Sequence, residues 1–425
     1  MIEILKDWNP WWEKKELIKE LEGTNRSQYS DLIDSIEIKE ITIITGVRRS
    51  GKSTLMYQMI DNLLKKGIKP KQILFVNLED KKLIKLSLDE IYNDYRKNLN
   101  PDKKAYIFFD EIHKKNDWEF WIRKKYDLKT EDKFVISGSC SYLLKKEYSN
   151  LLTGRNLTFE VFPLSFKEYL LFNNISLKKE NLKKKIVLEK TKYLILKHLK
   201  DYLKLGGFPE VFFKTKRYKT KILEQYFDDI LYKDIIDRYN LNSQKAKDLA
   251  LFLISNFTGL ISLRNLRNSL GISYDTIKDY LSHFKEAFLF FTLDYFSYSY
   301  KEQKILASKV YCIDNGLRNA ISFKFSKDEG NLVENLVFVE LKRLGEDVFY
   351  WKGKKEVDFV VKEKDQGLIA INVSYTDDID EREIKGLLEF KKKFKKTKKM
   401  ALLTKDLEKK EKGIYFIPLW KWLLE

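Results

Sequence analysis

Residues 46–54 read Gly46-Val47-Arg48-Arg49-Ser50-Gly51-Lys52-Ser53-Thr54, and they restrict the fold more than any other stretch of the chain. Two glycines enclose four residues, and a lysine and two hydroxyls follow at once. Ahead of them Ile41–Thr45 is a short β-branched run that reads as a strand. Behind them residues 53–66 place Leu55, Met59 and Leu63 on one face of a helix. A strand, a glycine-rich turn and a helix N-terminus bring backbone N–H groups and partial positive charge to one point, an arrangement that cradles phosphate.

The pattern continues through about residue 172. Residues 73–78, 106–110, 134–137 and 157–162 read as strands, and 86–99 and 118–128 as helices. Ser165 and Glu168 then open another helix with capping-box spacing. Strands alternating with helices predict an α/β fold, a parallel sheet covered on both faces. Asp110-Glu111 ends the strand Ile107-Phe108-Phe109, and ligands of open α/β sheets gather at the carboxyl ends of strands. The expected site therefore holds ATP with Mg²⁺. Lys52 contacts the β- and γ-phosphates, Ser53 and Asp110 serve the metal, and Glu111 polarises the attacking water.

At 425 residues the chain predicts two to four domains, and 44% hydrophobic with 14% aromatic content is ample for packed cores. Lys and Arg outnumber Asp and Glu by 81 to 63, a net charge of +18. That balance favours a polyanionic partner, nucleic acid first, or else a lysine-rich solvated surface. Cys140 and Cys312 are too few for a disulfide framework or a metal cluster, which suits a reducing cytoplasm. The N-terminus carries charges where a signal peptide needs an apolar core, and no apolar run has the length of a membrane span. The expectation is a soluble cytoplasmic protein with no membrane contact.

Four segments follow from the change in pattern: a nucleotide-binding domain at 1–177, a basic helical segment at 178–242, a winged helix-turn-helix at 243–300 and a second small α/β domain at 301–425. Residues 178–204 hold ten lysines against three acids, and Leu205-Gly206-Gly207-Phe208-Pro209 breaks the helix. Residues 246–257, 263–270 and 273–286 read as three helices with Gly271 as the turn, and 288–295 as a strand. The last of these helices would present Ser273, Tyr274, Lys278 and His283 to DNA, with Arg264 and Arg267 on phosphates. Beyond residue 301, strands at 310–313, 348–351, 357–361, 368–373 and 401–403 surround helices at 332–344 and 383–394.

The stretches GVRRSGKST, FVNLED, IFFDEIHK, ISGSCSYLL, LLTGR and VFPLSFKEYL resemble the AAA-superfamily ATPases of archaea and bacteria that carry a C-terminal domain of uncharacterised function. The resemblance extends to LKLGGFPEV and VENLVFVEL. It implies that Ser139 senses the γ-phosphate, that Asn77 restrains the catalytic glutamate, and that Arg155 is an arginine finger acting across the boundary of a homo-oligomer. The last domain resembles the restriction-endonuclease-like fold, whose chemistry takes a helix Glu, a strand Asp and a Glu-x-Lys on the next strand. Glu334 or Glu340 would be the first and Asp358 the second. Asn372 and Ser374 stand where Glu-x-Lys is expected, so the domain is expected to bind without cleaving. Three functions fit: an ATP-switched machine on DNA, an ATP-dependent nuclease, or an ATP-gated adaptor for a protein partner.

Overall fold

The computed structural model describes residues 1–139, 152–175, 189–322 and 329–425. Cys140 and residues 178–188 of the basic segment lie outside them. The chain divides into two compact units, 1–161 and 162–425.

The first unit alternates β1 (Ile41–Thr45), α1 (Lys52–Lys65), β2 (Ile73–Asn77), α2 (Leu88–Asn98), β3 (Tyr106–Asp110), α3 (Trp118–Asp127), β4 (Lys133–Gly138) and β5 (Asn156–Glu160). The strands form one parallel sheet in the order β2-β3-β4-β1-β5. Side-chain alternation sends Ile43, Ile107, Phe109 and Ile136 to one face, against Ile91, Tyr95 and Trp121. Ile44, Phe75, Phe108 and Val135 go to the other, against Leu55, Met59 and Leu63 of α1. The N-terminal stretch protects the edge strand β2. Asn9 donates to Phe75 O and accepts from Phe75 N–H, both at 2.7 Å, and Trp12 Nε1 donates to Ile73 O at 2.8 Å. Its side chain thus takes up part of an edge that would otherwise be open to pairing.

The second unit starts with α4 (Phe166–Phe172), α5 (Glu189–Leu205) and α6 (Lys216–Asp229). Ser165 and Glu168 form the expected capping box on α4. The break after α5 has a definite cause: Gly206 sits at φ +72, and a Cβ there would lie 1.9 Å from Asp314 Oδ1. Then come α7 (Ser243–Ser255), β6 (Leu260–Ile261), α8 (Leu263–Leu270), α9 (Tyr274–Glu286), β7 (Phe290–Leu293) and β8 (Ser308–Cys312). Ser262 and Ser273 cap α8 and α9 through their hydroxyls, and Gly271 turns between them at φ +65. β7 is shorter than the apolar run because Phe288 takes φ +57 at the end of α9. β6, β8 and β7 form an antiparallel sheet in that order. The sequence pattern groups β8 with the strands that follow it; the structure pairs it with the two before it.

The chain closes with α10 (Asn315–Ile321), α11 (Glu329–Arg343), β9 (Asp347–Lys352), β10 (Glu356–Lys362), β11 (Leu368–Ser374), α12 (Glu381–Lys393), β12 (Thr397–Thr404), β13 (Lys409–Glu411) and β14 (Ile414–Pro418). The sheet runs β13-β14-β12-β11-β10-β9, antiparallel from β9 to β11 and parallel from β11 through β12 to β14. Among the described residues no helix is long and apolar enough to cross a membrane.

Candidate nucleotide site and carboxylate cluster

The loop of residues 46–54 leaves the carboxyl end of β1 and enters α1. Gly46 lies so close to the chain after β5 that a Cβ would come within 2.1 Å of Val161 O. Gly51 caps α1 at φ +101 and Arg49 takes φ +69, a left-handed backbone that curls the loop. Val47 and Ser50 are buried. Arg48 reaches away from the loop to Glu79, at 2.9 Å. Thr54 lies against the N-terminal segment, where a Cβ on Gly23 would be 3.3 Å from Thr54 Cγ2. Lys52 is 4% exposed and donates to Gly46 O at 3.1 Å and Val47 O at 3.2 Å, so its ammonium closes over the mouth of the loop.

β3 delivers the carboxylates next to it. Ser53 Oγ donates to Asp110 Oδ2 at 2.6 Å, and Ser137 Oγ, from β4, donates to Asp110 Oδ1. Burial pushes the Asp110 carboxyl up to about 6, with the charge of Glu111 adding to it and the two serines and Lys52 opposing. Glu111 turns off the strand at φ +56. Its Oε1 lies 4.0 Å from Lys52 Nζ, and its Oε2 accepts from Ser139 N–H at 3.1 Å, with His113 Nδ1 3.3 Å away. Among the described residues the buried hydroxyls of Ser50 and Ser139 have no hydrogen-bond partner. Unspent donors in the loop and a buried carboxylate beside a hydroxyl are a donor set that fits a phosphate chain and a divalent cation.

Lys52, Ser53, Asp110, Glu111 and Ser139 therefore meet in one place. Asn77 sits beside Asp110 in register, but its side chain accepts from Glu79 N–H at 2.9 Å and does not engage Glu111. Arg155 does not join them either. Its carbonyl accepts from Ile41 N–H, at the amino end of β1, and its Nε pairs with Asp127 at 3.0 Å. The sequence pattern passes over Ser137 and His113, although both lie within stretches that carry the resemblance. It also passes over Arg26, which is buried and donates to Ser50 O at 2.9 Å. No local pattern marks an arginine that far upstream.

In the second unit Lys309 of β8 gathers three carboxylates: Glu356 at 2.6 Å, Glu334 at 2.9 Å and Asp358 at 3.6 Å. Glu334 is thus the helix carboxylate that meets Asp358, and Glu340 pairs with Arg343 instead, at 2.9 Å. Asn372 is fully buried. Its Nδ2 donates to Glu383 Oε2 at 2.9 Å and Glu383 O at 3.1 Å, and its Oδ1 accepts from Asp358 N–H at 3.1 Å. On α9, Tyr274 and Lys278 are exposed, as are Arg264 and Arg267 on α8. His283 is not presented with them: it stacks on Tyr239 with ring centroids 3.7 Å apart.

Residues 38–170 match the model of an AAA domain. Residues 196–328 and 329–422 match two domains of unknown function, DUF8612 and DUF4143. An uncharacterized protein of Haemophilus influenzae is 31% identical over 413 residues, spanning 94% of this chain and 98% of its own. An uncharacterized protein of Methanocaldococcus jannaschii is 36% identical over 417 residues, spanning 92% of this chain and 90% of its own. The DNA-bound ORC1 protein of Aeropyrum pernix is similar at a TM-score of 0.33 and 10% identity, covering 69% of this chain and 91% of that one, a likeness too loose to argue from. With two relatives matched over 90% or more of both chains, the protein belongs to their family, and its AAA domain makes it an AAA-type ATPase.

Proposed function

We propose that residues 46–54 bind MgATP, that Glu111 drives its hydrolysis, and that the chain spends the resulting cycle on DNA held by α8, α9 and the β6-β8-β7 sheet. The observation that carries the reading is the convergence of Lys52, Ser53, Asp110 and Glu111, with Ser53 hydrogen-bonded to Asp110 and Lys52 facing Glu111 across 4.0 Å. Lys52 leaves the carbonyls of Gly46 and Val47 for the β- and γ-phosphates. Ser53 and Asp110 are the residues that would hold magnesium. The metal, when bound, draws negative charge from the phosphates. Glu111 takes the proton of the attacking water, and Ser139, whose N–H already holds Glu111, offers its free hydroxyl to the γ-phosphate. Asn77 restrains Glu111 only after giving up Glu79 N–H. Arg155, at the far edge of its own sheet, serves a neighbouring copy in a homo-oligomer.

The DNA part rests on a cleft of about 650 Å³ lined by Arg264, Tyr274, Lys278, Lys285, Ile305 and Leu306. Three helices with an antiparallel three-stranded sheet are the elements of a winged helix, and the cleft lies beside the helix that would enter a groove. We read the six-stranded sheet as that of a nuclease-like domain, in which the amide of Asn372 is committed to Glu383 and Asp358 N–H. A carboxylate at that position would repel Glu383. We take the domain to bind without cleaving, in a cytoplasmic protein.

Turnover of ATP with and without DNA tests the reading. Lys52→Ala should abolish nucleotide binding. Glu111→Gln should bind ATP and slow hydrolysis by about 10²–10⁴-fold. Wild-type turnover in the Gln variant removes Glu111 from the mechanism, and turnover indifferent to DNA favours the adaptor.

A further inference from the structure

Lys309 is 4% exposed, in the strand β8 of the second unit. Burial pulls the ammonium down, but Glu334, Asp358 and Glu356 outweigh burial and hold it above its ordinary range. The three carboxylates come from different places: Glu334 from α11, Glu356 and Asp358 from one side of the start and middle of β10. Tyr311, two residues along β8, donates to the same Glu334 oxygen as Lys309 does, at 2.8 Å. Three carboxylates from a helix and a strand are the oxygen type a divalent cation takes, but, spread around the ammonium as they are, they are not placed to hold a metal ion, and no such group is among the described residues. Here their centre is filled by a nitrogen carried on a strand of the three-stranded sheet, outside the run from α11 to β12 that supplies the acids.

We propose that the Lys309 ammonium stands where a divalent cation would sit and keeps metal out of the carboxylate pocket. On the non-cleaving reading, metal is then kept out twice, by the Asn372 amide and by a lysine that locks β8 to α11 and β10. The proposal is independent of the ATPase reading and rests on the same carboxylate geometry as the non-cleaving reading of the C-terminal domain.

Mn²⁺ binding to the full-length, nucleotide-free chain tests it, followed by the EPR signal of free Mn²⁺ and by Tm. Wild type and Asp358→Asn should respond alike. Lys309→Ala should gain one Mn²⁺ per chain and a Mn²⁺-dependent rise in Tm, and the double variant with Asp358→Asn should lose both. If Lys309→Ala is unfolded in chelator, Mn²⁺ should restore its far-UV circular dichroism. A wild-type Mn²⁺ site that Asp358→Asn removes overturns the proposal, as does a Lys309→Ala protein that neither binds Mn²⁺ nor is rescued by it. Plasmid nicking separates this from the non-cleaving reading. Lys309→Ala that binds Mn²⁺ and leaves plasmid intact supports both; one that binds Mn²⁺ and nicks upholds the role of Lys309 and sinks the other.

Discussion

Ser53 and Asp110 are 57 positions apart, and a 2.6 Å hydrogen bond joins the first turn of α1 to the carboxyl end of β3 through them. The bond lets a buried carboxylate keep its charge where burial opposes it. Ser53→Ala removes that donor and a metal-side hydroxyl together. A hydrogen bond to a charged group contributes about 1.5–3 kcal/mol, so ATP affinity in the presence of Mg²⁺ should fall roughly 10–150-fold. Affinity in EDTA should hardly move. Titration of a fluorescent ATP analogue under both conditions reads the two numbers, and equal losses in both mean that Ser53 serves the loop and not the metal.

Arg155 is separated from the loop of its own chain by the length of β1, roughly 15 Å at the rise of a strand, so the proposed finger would have to act on the site of another copy. Its pair with Asp127 is half exposed and contributes little to stability. Arg155→Ala should therefore keep its Tm and its ATP binding while losing turnover. Mixing it with Lys52→Ala, which is inactive for the opposite reason, should restore part of the activity as the two exchange subunits. A mixture as inactive as its components, from an Arg155→Ala protein that is itself inactive, means that no finger acts in trans.

Asp314 caps α10, accepting from Leu317 N–H at 3.0 Å and from Gly207 N–H at 2.7 Å. Burial pushes its carboxyl up to about 6 against the pull of these donors. A raised carboxyl favours the folded state in its protonated form, so its contribution is complete below about pH 4 and is lost as pH climbs through 6. Asn caps a helix nearly as well and does not titrate. Relative to Asp314→Asn, wild type should therefore be near parity around pH 4 and lose roughly 1–3 kcal/mol of stability by pH 7. Thermal unfolding of both proteins across that range measures it, and a gap that stays constant with pH means that Asp314 stays ionised throughout.

Local patterns made the loop and its sheet legible. Gly46, Gly51, Lys52 and Ser53 act through bonds between near neighbours, and Asp110 follows from the rule that ligands lie beyond strand ends. Asn9, Arg26 and Lys309 have no such mark. Asn9 acts on Phe75, Arg26 on Ser50 and Lys309 on Glu334, and each effect exists only once distant segments have packed. β8 was open to misgrouping for the same reason. Its residues are apolar enough for any strand, and only the partners in β6 and β7 decide which sheet it joins. The choice between Glu334 and Glu340 also waited on packing, because both lie on α11 and only one is drawn off by Arg343.

The cleft beside α9 makes a claim about salt. A cation that neutralises a phosphate displaces a condensed counterion, so each such contact adds about 0.9 to the slope of log affinity against log salt on duplex DNA. Arg264 and Lys278 line the cleft from two helices, while Asp275 and Asp279 on α9 would oppose a phosphate on their side. Lys278→Ala and Arg264→Ala should each flatten the slope by about one unit and weaken binding evenly across DNA sequences. His283→Ala should leave the slope unchanged, because its ring is stacked on Tyr239 and not turned to the cleft. A filter-binding titration from about 50 to 200 mM salt spans enough range to see this. If wild type fails to bind at the lowest salt, the net charge of +18 is a solvated lysine surface and the ATP cycle acts on a protein. If it binds but both variants keep the full slope, DNA lies elsewhere on the chain and the cleft is not its site.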